Sequence, residues 1–95
     1  MVEPHMYEVE VLGQRYTVEH VPNLLVEGER CEGACYVSER TVKIDDALRY
    51  QDARYNRVLK HELMHAALRT SGLAELMDLR MEEAICVLAE SISIK

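Results

Sequence analysis

The chain has 95 residues, 48% hydrophobic and 29% charged, which is the composition of one small globular domain, residues 1–95, rather than of a disordered chain. Its formal net charge of −6, with no stripe of Lys or Arg, excludes a nucleic-acid backbone as partner. No run approaches the roughly 18 apolar residues of a membrane helix, and the opening MVEPHMYEVEV lacks the basic and apolar regions of a leader. A soluble, cytoplasmic protein with no membrane contact is expected. Three cysteines, Cys31, Cys35 and Cys86, are too few and too odd in number for a disulfide framework, so reduced thiols are expected.

In chain order, MYEVEVLGQRYTVEHV (6–21) alternates apolar and polar residues around Gly13-Gln14, which predicts a β-hairpin. Pro22-Asn23 and a Glu/Gly-rich stretch, VEGERCEG, interrupt the pattern. ACYV and TVKID then read as two further strands, separated by Ser38-Glu39-Arg40, giving a small antiparallel sheet. After Asp45-Asp46 the spacing becomes helical and continues to Thr70-Ser71-Gly72, whose glycine suits a helix C-terminus. A second helix is predicted from about Ala74 to Ser91. Strands first and helices after make an α+β domain.

The first helix carries VLKHELMHAAL (58–68), with His61, Glu62 and His65 in the pattern HExxH. At about 100° per residue the two histidines lie about 40° apart, one turn from each other, so both imidazoles can reach one zinc ion. Glu62 lies about 100° away from His61, which is wrong for a third ligand but right for a general base acting on a water at the metal. Around the motif the helix is apolar on almost every side, which predicts a central, buried position. A catalytic zinc needs a third protein ligand, and no histidine follows His65. That leaves Glu82 and Glu83 on the second helix, between which helical geometry does not choose. The dense apolar stripe of that helix (Met77, Met81, Ala84, Ile85, Leu88, Ile92) centres about 150° from Glu83.

HELMH, with the second glutamate of EEAI 18 residues after His65, resembles the minimal gluzincin metallopeptidases. These include small phage- and prophage-type proteins of the ImmA/IrrE-like group. The resemblance spans about residues 33–92 and implies a minimal zincin-like fold, with GACYVSERTVKIDDAL as the sheet before the active-site helix. It also implies Zn²⁺ held by His61, His65 and Glu83, with Glu82 the alternative to Glu83. One position departs from the family. Where many gluzincins place an aspartate four residues after the ligand glutamate, to brace the first histidine, this chain has Val87, so the brace must come from Glu90 or a backbone carbonyl. No residue for stabilising the tetrahedral intermediate stands out beyond His20 and Tyr36.

The activity implied is hydrolysis of a peptide or protein substrate, bound in extended form along the strand at Gly33–Val37, with Glu62 as general base. The rival expectation is a catalytically silent or latent zinc-binding regulatory protein. Latency would come from the C-terminal SISIK lying in the cleft, or from Cys31 or Cys35 as a fourth zinc ligand.

Overall fold

A computed structural model describes residues 6–92, and in it the alternation at the start of the chain forms strands β1 (Met6–Val11) and β2 (Gln14–Val21). They pair antiparallel from Met6↔Glu19 to Val11↔Gln14 around the two-residue turn Leu12-Gly13. Both turn residues have positive φ, 50° and 78°, as the twist of a tight hairpin demands. The Glu/Gly-rich stretch, expected to be irregular, forms a second hairpin, β3 (Leu25–Val26) and β4 (Glu29–Arg30), turning at Glu27-Gly28 with φ of 53° and 83°. Strands β5 (Gly33–Tyr36) and β6 (Thr41–Asp45) follow as a third hairpin.

The main sheet has the order β1-β2-β6-β5, and β2 runs parallel to β6, so it is mixed rather than wholly antiparallel. Burial accounts for the place of β6: Val42 and Ile44 are fully buried, and a strand so covered belongs in the middle of a sheet, between β2 and its own hairpin partner β5. Val11, Tyr16, Val18, Val42 and Ile44 supply the sheet's share of the core, which Leu48 and Ala66 complete. The strand β5 is left at an edge.

Helix α1 (Asp52–Thr70) contains neither Gly nor Pro and stops before Gly72, whose φ of 85° ends it as expected. It lies across β5, β6 and β1 on one side and against α2 on the other. Tyr16 Oη sits 2.8 Å from Thr70 Oγ1, tying the first hairpin to the end of α1. Of its residues only Glu62, Ala66 and Leu68 are buried, so the helix is central but less deeply covered than its apolar sequence predicts. Helix α2 (Leu79–Ala89) starts later than Ala74, because Asp78 is extended and its carboxylate accepts a 2.8 Å hydrogen bond from the Met81 N–H, an N-cap. Residues Leu73–Leu76 form a 3₁₀ turn instead. Among the described residues no helix is long and apolar enough to cross a membrane.

The apolar stripe of α2 faces outward. Met81, Leu88 and Ile92 are 54%, 69% and 53% exposed, whereas Glu82, Cys86 and Ala89 are buried against the rest of the fold. The helix is docked by its carboxylate-bearing side.

Asp45, at the end of β6, holds three segments together. Its carboxylate accepts from Ala47 N–H at 2.9 Å and Leu24 N–H at 3.2 Å and lies 3.5 Å from Arg30 Nη2. The Ala47 N–H is the main reason that its pKa is lowered; burial opposes the shift, and the Leu24 N–H and Arg30 support it. Stability from this group is present above its unfolded pKa of about 3.9 and is lost as pH falls through the lower folded value. Asp45→Asn should destabilise the protein by about 1–3 kcal/mol at neutral pH. In urea titrations at stepped pH, the wild type's advantage should then shrink as the pH drops below about 4; an advantage constant down to the lowest pH would show that the charge contributes nothing.

Candidate metal centre

One turn of α1 separates His61 from His65, and their ring centroids are 5.1 Å apart. Helix α2 brings three glutamates to this pair, each to a different atom. Glu90 Oε2 lies 2.7 Å from His61 Nδ1, and Glu82 Oε2 lies 2.6 Å from His65 Nδ1. A carboxylate can only accept, so each Nδ1 carries the hydrogen and each Nε2 is left with the role of donor atom to a metal. Glu83 stands in front of both Nε2 atoms, its Oε1 2.5 Å from that of His61 and its Oε2 3.7 Å from that of His65.

The two neighbouring glutamates therefore differ in role. Glu82 is buried and is also gripped by Arg69, whose Nε and Nη2 donate to it at 3.0 and 3.4 Å. Burial pushes the Glu82 pKa up, but the hydrogen bonds from Arg69 and His65 outweigh it and hold the group below the usual range. With its oxygens so engaged, Glu82 braces a histidine rather than completing a ligand set. Val87 is exposed, and Glu90, two turns beyond Glu83, is the residue that meets His61 Nδ1.

Tetrahedral zinc with Zn–N of about 2.0–2.1 Å and Zn–O of about 2.0–2.2 Å sets its ligand atoms roughly 3.3–3.5 Å apart. The two Nε2–Glu83 separations fall on either side of that value, while the group of donor atoms that lie within 4.8 Å of one another among the described residues pairs the histidines with Cys86 and not with Glu83. Without metal, burial disfavours the His61 imidazolium, but the Glu90 hydrogen bond and the charges of Glu62 and Glu83 prevail and raise its pKa.

Sequence reasoning missed Cys86. A nitrogen of each imidazole and the Cys86 sulfur lie within 4.8 Å of one another, and the cysteine is fully buried. Its signal was its place three residues after Glu83, on the same helical face. Burial, with the charges of Glu83, Glu82 and Glu62, pushes this thiol up to about 12. Of the two cysteines expected near the metal, Cys31 lines the cleft beside His61, and Cys35 is partly buried on β5, with a thiol pushed up to about 12, first by desolvation and then by the Glu62 charge. Among the described residues neither joins the histidine cluster. All three are free thiols.

Glu62 is buried where α1 meets β5. Burial raises its pKa most, His61 and His65 pull it down, and Glu83 and Glu90 push it up again, leaving it raised. The space for it exists because position 33 is glycine. A Cβ there would lie 2.7 Å from Val58 Cγ1, 3.0 Å from Glu62 Cγ and 3.2 Å from Glu62 Oε2. A cleft of about 490 Å³ opens in front, lined by Cys31, Gly33, Arg54, Arg57, His61 and Glu62 among others. A larger hollow beside Val37, Met77 and Leu79 contains neither histidine. His20 and Tyr36 do not line the cleft: His20 Nε2 is 2.7 Å from Tyr55 Oη, and the Tyr36 ring lies under Lys43 Nζ at 5.3 Å. Of SISIK, Ser91 and Ile92 are described, and the Ile92 carbonyl accepts a hydrogen bond from Lys60; the expected plug at 93–95 lies outside the described residues.

Two measurements test this geometry. In chelator, stability from the His61 contacts should be full below its unfolded pKa of about 6.5 and decline as pH rises through the raised folded value; added zinc, which needs neutral imidazoles, should stabilise increasingly over the same range. Thermal melts with and without zinc that share one pH slope would contradict the site. Gly33→Ala should cost about 1–3 kcal/mol in denaturant unfolding, since a helical valine cannot swing away from the new methyl; an unchanged midpoint would show that the contact relaxes freely. The chain matches no family model, no curated protein and no solved structure with which it was compared, so the chemistry must be argued from these side chains.

Proposed function

We propose that the protein is a zinc-dependent metallopeptidase of gluzincin type, with His61, His65 and Glu83 as metal ligands and Glu62 as general base. One observation carries this reading: Glu83 faces both Nε2 atoms while a separate carboxylate fixes each Nδ1. A bound zinc ion supplies Lewis acidity, polarising a scissile carbonyl and lowering the pKa of a water to about 7. Glu62, with its raised pKa, takes the attacking water's proton and returns it to the leaving amine. Its burial beside β5 keeps bulk water from competing for that proton.

Strand β5 pairs with β6 alone, so its other edge is open to an extended peptide. Gly33, on that strand, lines the same cleft as His61 and Glu62, which would bring a scissile bond to the metal. A second reading keeps the metal but not the turnover: a zinc-binding regulatory protein, favoured by the thiol of Cys86 among the ligand atoms. The buried, cradled Glu62 speaks for catalysis, because a structural zinc has no use for it.

Glu62→Gln should retain stoichiometric zinc and lower peptide hydrolysis by about 10²–10⁴-fold, measured on an unstructured protein or a quenched peptide pool. Hydrolysis undiminished in the variant would rule out the mechanism, and zinc binding without hydrolysis in the wild type would favour the regulatory reading.

A further inference from the structure

Cys86 joins the two histidines in a donor set whose sulfur the peptidase mechanism does not use. The sulfur projects from the buried side of α2, one turn beyond Glu83, and all three donor atoms lie within 4.8 Å of each other. Zinc with Zn–S of about 2.3 Å and Zn–N of about 2.0–2.1 Å places sulfur and nitrogen roughly 3.5 Å apart, so closing the set requires a contraction of at most about 1.3 Å.

We infer that Cys86 is a fourth protein ligand, so that the resting site is a closed His61–His65–Glu83–Cys86 centre and the protein is held latent by its own α2. The inference rests on the metal-centre reading above and adds regulation to it. Four protein ligands, thiolate included, are the mark of a closed zinc site, whereas a working hydrolase keeps one position for water. On metal binding the thiol gives its proton to solvent, a sulfur–metal bond forms, and the sulfur takes the position that water would fill. Activity then requires the Cys86 side chain to turn away from the histidine pair while α2, and Glu83 with it, stays in place.

The test uses the full-length protein loaded with Co²⁺ in place of zinc, read by absorption. Tetrahedral cobalt gives visible d–d bands whether or not sulfur is bound, and a thiolate ligand adds a near-ultraviolet charge-transfer band. We expect both in the wild type and in the Cys31→Ser/Cys35→Ser double variant, which leaves Cys86 as the one thiol. Cys86→Ala should lose the charge-transfer band, keep the visible bands and hydrolyse peptide at least tenfold faster than the wild type. Visible bands without charge transfer in the wild type would overturn the inference and leave the open metal site standing. Charge transfer lost in the double variant would assign the sulfur to another cysteine and overturn it too. No cobalt bands at all would refute the metal centre itself. If Cys86→Ala does not fold, the double variant alone decides the ligand.

Discussion

The contact between the carboxylates of α2 and the imidazoles of α1 is the interaction on which the rest of the arrangement depends. An amphipathic helix is ordinarily held by its apolar face, yet α2 turns Met81, Leu88 and Ile92 outward and Glu82, Glu83, Cys86 and Glu90 toward His61 and His65. Buried charge is costly unless paired, and Glu82, the buried one of these carboxylates, is paired with Arg69 and His65. Glu83 and Glu90, both partly open to solvent, meet His61 from the rim. The two adjacent glutamates straddle the same histidine pair, Glu82 at one Nδ1 and Glu83 at the two Nε2 atoms.

Glu62 belongs to a different set of contacts. It reaches the cleft from α1, but its position is set by β5, where the missing side chain of Gly33 lets strand and helix approach. The imidazoles and the carboxylates that meet them come from two helices and Glu62 is seated by a sheet edge, so the candidate site stands at the junction of both layers. The same junction places an open strand edge beside the cleft.

The local elements were legible in the sequence where one physical signal dominated. Period-2 alternation marked β1 and β2, and the HExxH spacing with Gly72 beyond it marked α1. What was not legible depended on contacts between distant segments. Nothing in TVKID alone says that it pairs parallel with QRYTVEHV, because the direction is set by the path of the chain between them and not by either strand's own pattern. The β3–β4 hairpin was concealed by its polar composition, although Glu27-Gly28 held the turn signal. The apolar stripe of α2 would have been assigned to the core by any periodicity argument, and it is the polar face that is buried. Glu90 was one of two braces considered for His61, but the Arg69–Glu82 grip needed coordinates.

The three metal-facing side chains and both of their braces fall between His61 and Glu90, within a single helical hairpin. The contacts that join them span 17 to 29 positions along the chain, and the pairing of β2 with β6, from Thr17↔Thr41 to Val21↔Asp45, covers a similar distance, so neither half of the fold has the shorter path to assembly. Glu62 lies on the same helical hairpin, but the glycine that makes room for it belongs to β5, outside that hairpin. A change confined to β5 would therefore unseat this one side chain and leave every carboxylate–imidazole contact of the hairpin in place.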